Sequence, residues 1–290
     1  MARILGVGVA TLDIINEVAS YPREDSEVRA LDQRIARGGN AANSLVVLSQ
    51  LGHECAWAGT YADAPEGRLL LEDLSRHHVD VNCACCVAEG KVPTSYVTLS
   101  RSNGSRTIVH YRQLSEFGFN EFAAIDLRSF DWIHFECRNV ADLSQMLSRA
   151  RSAAPTTALS LEIEKPRPGM EVLFSDADLL LFSQAYAAAC GWTDPARFLA
   201  ALSKEIPGKA MVCAWGGAGA VALDRAGQQS HSAAYIPDFV VDSLGAGDVL
   251  NAGVIDGLLG KKTLAEVLVA ACRLAGKKCG QIGFDGLGQI

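Results

Sequence analysis

No apolar run in this chain is long enough to cross a bilayer, and the apolar start Met1-Ala2-Arg3-Ile4-Leu5-Gly6-Val7-Gly8-Val9 reaches Asp13 too soon for a secretory signal. A cytoplasmic protein is expected. Basic charge is also scarce: 26 Lys and Arg stand against 33 Asp and Glu, a formal net charge of -7. That balance argues against a nucleic-acid surface, which needs clustered cations, and leaves small molecules as the expected partners. The nine cysteines include Cys83, Cys85 and Cys86 in one crowded run that fits neither a zinc spacing nor a secreted disulfide framework. Reduced thiols are the plain expectation. The sequence holds no G-x-x-x-x-G-K-[ST] phosphate loop and no G-x-S-x-G nucleophile elbow. Gly6-Val7-Gly8 invites a dinucleotide-binding reading, but Thr11 occupies the place of the third small residue in that fingerprint. Internal repeats and low-complexity linkers are lacking too.

What is there is a chain rich in core-forming residues: 290 residues, 49% hydrophobic and 20% charged. This length serves one large domain or two small ones. Apolar runs at 4–9, 132–136, 158–163, 179–182 and 210–215 alternate with amphipathic stretches at 40–51, 69–74, 142–153 and 195–206. Such order predicts an α/β fold: a doubly wound, mostly parallel sheet with helices on both faces. Two regions break the alternation. Residues 27–37 carry no helix signal, and residues 94–99 and 107–111 flank Ser102-Asn103-Gly104-Ser105 as a hairpin would. Together they predict a small β-lid over the open end of the sheet; an ordinary surface hairpin fits the same residues.

The most informative segment is Asp242-Ser243-Leu244-Gly245-Ala246-Gly247-Asp248, which runs into a helix-like stretch beginning Val249-Leu250-Asn251. Small residues let the main chain approach a ligand closely, and the first amides of a helix lack internal partners and attract anions. Asp248 adds a proton acceptor at that point, which is what an alcohol needs before it can attack phosphorus. The same spacing also suits an Asp that merely caps a helix behind a Gly-rich turn.

Further groups lie where a sheet of this kind holds its ligand, beyond the carboxyl ends of its strands. Asp13 follows the first strand. Asn40 and Asn43 in Arg37-Gly38-Gly39-Asn40-Ala41-Ala42-Asn43 share one helical face, and their amides suit a polyol, although a Gly-rich turn with an Asn cap reads the same way. Arg106, beside the hairpin turn, is placed either to neutralise phosphate charge or simply to be solvated. Gly216-Gly217-Ala218-Gly219 permits close approach of a nucleotide and is equally a tight turn.

The Gly-Gly-Asn-Ala-Ala-Asn segment at 38–43 and the segment at 242–248 resemble the two signatures of the ribokinase-like (PfkB) carbohydrate kinases. Residues 21–27, 104–108, 132–136, 162–167, 213–215 and 275–286 resemble the branch of that family that phosphorylates ketohexoses, so the likeness spans nearly the whole chain at one register. The resemblance implies a single kinase domain over 1–290, with a lid from about 14–37 and 92–113. It implies transfer of phosphate from ATP to the C1 hydroxyl of D-fructose, with Asp248 as general base and Gly245, Ala246 and Gly247 as the anion hole. Asp13, Gly39, Asn40 and Asn43 would bind sugar. Arg106, Gly216, Gly217, Ala218, Gly219, Asn251 and Cys279 would serve the nucleotide. A homodimer through the lids would bring Asp25 to the neighbouring subunit's sugar. Mg2+ would accompany ATP, with K+ as a further cation.

Several departures from the family pattern matter. Val249 and Leu250 replace its Thr and Phe, residues 61–65 differ from its usual stretch, and its Asn-x-x-Glu element is missing at Ser183-Gln184-Ala185-Tyr186. Glu162 and Glu164 are the substitutes expected near the metal, through water. Other acceptors of the same class are tagatose, sorbose, ribose or a nucleoside. From a different class, a sugar sensor that has lost turnover would share this fold, but such a protein has no use for Asp248.

Overall fold

In the computed structural model, which describes residues 1–103 and 105–289, the first strand, Arg3–Val7, runs parallel between Trp132–Glu136 and Glu54–Ala58. It belongs to a nine-stranded sheet in the order Gln229–Ser232, Ala220–Leu223, Ala210–Ala214, Leu179–Phe182, Ala158–Ile163, Trp132–Glu136, Arg3–Val7, Glu54–Ala58, Val79–Asp80. Ala220–Leu223 pairs antiparallel with both neighbours, and every other pairing in this sheet is parallel. The doubly wound, mostly parallel sheet expected from the alternation is therefore present.

A parallel sheet covered on both faces needs strands that are apolar throughout, and Leu179-Leu180-Leu181-Phe182 is buried at every position. Alternate residues enter two separate cores. Ile4, Trp57, Leu179 and Leu181 pack with the helices Asn40–Gln50, Pro65–Arg76, Ala246–Leu259 and Leu264–Cys279. Leu5, Phe135, Leu161 and Phe182 pack on the other face with Val140–Ala153 and Pro195–Glu205. Local signals set the helix starts. Asp194 accepts from the Arg197 amide at 2.9 Å and Pro195 needs no partner at the first helical position, while Thr263 and Glu266 form a reciprocal cap.

A second sheet of four strands has the order Asp32–Gly38, Thr11–Val18, Thr94–Ser100, Arg106–Tyr111. Its outer pairs are antiparallel and its central pair is parallel. The hairpin expected at 94–111 is its outer half; Gly104, in the turn expected at 102–105, lies outside the described residues. Two differences from the sequence reading stand out. Residues 27–31 are not a strand, and Thr11–Val18 is one, so this sheet begins at Thr11 and Asp13, which follows the first strand as expected, sits on the second. Thr11–Val18 shows no clean alternation because Thr11, Leu12 and Asp13 are buried in succession at its start. Glu54–Ala58 and Ala220–Leu223, also unmarked by periodicity, are nearly or wholly buried.

Both sheets meet at the functional end of the molecule. From Arg3–Val7 the chain adds strands on one side, then returns to continue from Trp132–Glu136 on the other. The crevice at that reversal is where open α/β sheets bind ligands. Among the described residues, no helix is long and apolar enough to cross a membrane.

Candidate active site

A cavity of about 760 Å³ occupies this crevice. Val9, Glu136, Glu162, Phe182 and Ala214 line it from strand ends of the main sheet, Asp13, Ser95, Arg106 and His110 from the small sheet, and residues 242–248 close it. Among the sequence-derived candidates, Asp13, Gly39, Asn40, Asn43, Arg106, Glu162, Glu164, Gly245, Ala246, Gly247, Asp248 and Asn251 all line this one space.

Gly39 makes the turn from the small sheet into Asn40–Gln50. Its φ is 101°, and a Cβ there would stand 2.0 Å from the Val9 carbonyl oxygen, so no other residue fits unchanged. The helix then presents Asn40 and Asn43, but to different partners. Asn40 Nδ2 donates to Glu162 Oε1 at 3.0 Å, and Asn43 Nδ2 donates to Asp248 Oδ2 at 2.6 Å. Asp13 is buried on its strand and accepts from Thr11 Oγ1 at 2.8 Å. Burial raises its pKa against the opposing pull of hydrogen bonds from Thr11 and Ser95 and the charge of Arg37.

Gly245 caps the helix Ala246–Leu259 in a left-handed conformation, φ 80°. A Cβ there would approach Phe284 Cζ to 2.4 Å. Gly247 and Asp248 follow in the first helical turn, where amides lack carbonyls within the helix and the helix dipole favours negative charge. Asp248 itself is only 7% exposed. Its pKa is raised well above the usual carboxylate value, first by burial and then by the nearby charge of Glu162, while the Asn43 hydrogen bond works the other way. One turn further along, Asn251 is buried against the cavity.

Around this helix start, two further groups hold the loop. Lys278, 0% exposed, places Nζ 3.0 Å from Asp242 Oδ2 and donates to the Asp242 carbonyl at 2.7 Å. Arg34 reaches the same carboxylate at 3.1 Å. Arg106 crosses from the small sheet to donate to Ser243 Oγ at 3.0 Å, putting a cation beside the helix start. Phe284 lies beneath, with Arg37 and Lys278 at 5.7 and 5.6 Å from its ring centre.

Glu162 is almost completely buried at the cavity wall, and its Oε2 has no hydrogen-bond partner. His134 Nε2, also without a partner, faces it at 3.8 Å. Burial holds His134 neutral, its pKa lowered to about 4, and raises that of Glu162. Glu164 pairs with Lys165 at 3.2 Å. Among the described residues, no group of three or more His, Cys, Asp or Glu is gathered as a ready cation cage.

Three sets of candidates are not brought to the cavity wall. Gly216 to Gly219 form a tight turn after Ala210–Ala214, outside the lining. Cys279 ends the helix Leu264–Cys279, and its carbonyl accepts from Val241 and Asp242 at 2.7 and 3.2 Å, anchoring the loop through backbone alone. Asp25 lies exposed on the segment between the first two strands of the small sheet, with φ 56°. Sequence reading missed the work of Asp73, Lys278, His134 and Phe284. No spacing links them to the motifs; His134 lies in the resembling stretch 132–136 and Lys278 and Phe284 in 275–286, but without an assigned role, and Asp73 lies in none.

The chain is similar to known proteins over nearly its whole length. Residues 1–286 match the pfkB family carbohydrate kinase model. The chain is 42% identical over 293 aligned positions to ketohexokinase of Mus musculus, covering 98% of each. Its fold is similar to ribokinase from Giardia lamblia, with a TM-score of 0.83 at 15% identity over 99% of this chain and 97% of that one. It is also similar to adenosine kinase from Sinorhizobium meliloti, with a TM-score of 0.82 at 19% identity over 99% and 98%.

Proposed function

Since the chain belongs to the pfkB family of carbohydrate kinases, we propose that it transfers the γ-phosphoryl group of ATP to the C1 hydroxyl of D-fructose or a related ketose, giving the 1-phosphate and ADP. The observation that carries this reading is the buried Asp248 carboxylate, oriented by Asn43 at the open start of a helix. In the proposed step Asp248 takes the C1 hydroxyl proton as that oxygen bonds to the γ-phosphorus. The bond to the β,γ-bridging oxygen breaks, and its electron pair leaves with ADP.

Asp13, Gly39 and Asn40 grip the sugar hydroxyls, and Asn43 joins them while holding the base. Gly245, Ala246 and Gly247 receive the transferring phosphoryl group, and Arg106 neutralises the phosphates from the small sheet. Asn251, Gly216 to Gly219 and Cys279 belong to the nucleotide side, the last two beyond the cavity wall. Glu162, a carboxylate in the cavity wall, is a hard oxygen donor, which fits a water-mediated contact to Mg2+. When bound, Mg2+ supplies positive charge to the phosphate oxygens.

Residues 1–290 are read as one kinase domain whose lid, from about 14–37 and 92–113, extends back to Thr11. Ile35 and Val109, 60% and 65% exposed on the small sheet, support pairing of two lids in a homodimer, where Asp25 of the partner subunit would complete the sugar site. A coupled ADP-release screen over fructose, tagatose, sorbose, ribose and adenosine tests the proposal. Ketose-dependent release is expected, and silence with every acceptor would overturn it.

A further inference from the structure

The orientation of Asp248 depends on an amide that is itself held from behind. Asn43 Nδ2 faces the Asp248 carboxylate at 2.6 Å, and Asn43 Oδ1 faces Arg37 Nη1 at 2.5 Å. A guanidinium has donors only, so whichever amide atom turns toward it must be the oxygen, and the NH₂ group is thereby directed at Asp248. Arg37 is fixed in turn. Its Nε donates to Asp73 Oδ2 at 2.6 Å, and its Cζ lies over the Phe284 ring, 5.7 Å from the centroid.

We propose that Arg37 and Asp73 are positioning residues for phosphoryl transfer: through Asn43 they set which atom the Asn43 amide presents to Asp248, and so hold the carboxylate in its reactive orientation. This rests on Asp248 being the general base. Lysine cannot replace Arg37, because a single ammonium on a flexible stem does not lock the amide and Asp73 in one plane. The outer end of the relay is more open. Asp73 also accepts from Arg76 at 2.7 Å and has His77 at 3.9 Å, so it is reachable by mutation without emptying the core.

The groups facing Asp248 besides Asn43 are Glu162, Glu136 and Glu164, all acidic, and Arg37, which is cationic. Loss of Arg37 therefore leaves the base among acids alone. The test is the full chain as wild type, Arg37→Gln, Arg37→Lys and Asp73→Asn, assayed for fructose-dependent ADP release across pH, with thermal melts of each. Arg37→Gln is expected to lower kcat on the order of 10-fold or more, with KM for ATP within about 2-fold, because the reacting groups are misplaced while the nucleotide site is intact. The acidic limb of its kcat profile is expected to move to higher pH. Arg37→Lys should not restore kcat, and Asp73→Asn should show a smaller loss with the same split. Unchanged kcat and an unmoved acidic limb in a folded Arg37→Gln overturn the relay while leaving the kinase reading intact. Should Arg37→Gln fail to fold, wild-type kcat in folded Asp73→Asn overturns it. A wild type silent on every acceptor removes the general base and the relay together.

Discussion

Asp242 and Asp248 open and close the same short segment, yet the fold gives them opposite surroundings. Asp242 meets Lys278 at 3.0 Å and Arg34 at 3.1 Å and accepts from the Leu244 amide at 2.9 Å. Burial alone would raise its pKa, but these partners hold it below the usual carboxylate value. Asp248, the more deeply buried of the two, has one amide donor and neighbouring acids, and its pKa is pushed up. The lesson is that proton affinity belongs to the environment rather than to the motif. A carboxylate ringed by cations anchors a loop, whereas one kept short of counter-charge is poised to accept a proton.

Breaking Asp248 is expected to have the largest effect. Asp248→Asn should retain sugar and ATP binding but lose roughly 10²–10⁴-fold in kcat, measured by coupled ADP release. Near-wild-type turnover would contradict the assigned role. The same variant sharpens the contrast through stability. A carboxylate whose folded pKa is raised stabilises the protein in its protonated form below the unfolded value, and that contribution is lost as pH rises through the folded value. Asp248→Asn should therefore raise the melting temperature at pH 8 relative to wild type, and raise it less at pH 5.

Asp242→Asn should do the reverse. It strips the carboxylate charge from a fully buried lysine, at a cost of about 3 kcal/mol by the behaviour of broken buried pairs. Because a depressed folded pKa gives stability above the unfolded value that is lost as pH falls through the folded value, this deficit should be present at pH 7 and shrink in acid. Equal denaturation midpoints for the Asp242→Asn variant and wild type at pH 7 would show that Arg34 and Lys278 find other partners.

Smaller effects separate the two ends of the cavity. Asp13→Ala should raise KM for the sugar about 10-fold or more, the worth of a charged hydrogen-bond acceptor, and leave KM for ATP nearly unchanged. Equal effects on both would mean that the sugar pocket lies elsewhere. Arg106→Ala should raise KM for ATP only a few-fold, by roughly the amount exposed ion pairs contribute, and the difference should fade at high salt.

How much of this was legible beforehand follows from range. The parallel sheet was readable because strands buried on both faces must be apolar throughout, as at 179–182, and because helix starts such as Asp194-Pro195 carry their own signals. Thr11–Val18 was not readable. Its strand state comes from pairing with Asp32–Gly38 and Thr94–Ser100, and nothing in its own pattern announces those partners. In the site, the Gly39 and Gly245 turns were visible because glycine is a local backbone requirement. The shared helical face of Asn40 and Asn43 was visible too, but not that Asn40 would turn to Glu162 and Asn43 to Asp248.

The amino-acid order alone therefore determined the layered architecture, the glycine turns and the presence of an acid at the start of an anion-attracting helix, since each follows from bonds and sterics within a few residues. Only the tertiary structure decided which of two acids in one segment is neutralised, which amide orients the other, and that Asp73, Arg37, Lys278 and Phe284 support them. The reason is physical. Charge interactions and desolvation depend on distance and burial in space, and those distances join residues as far apart in the chain as Asn43 and Asp248.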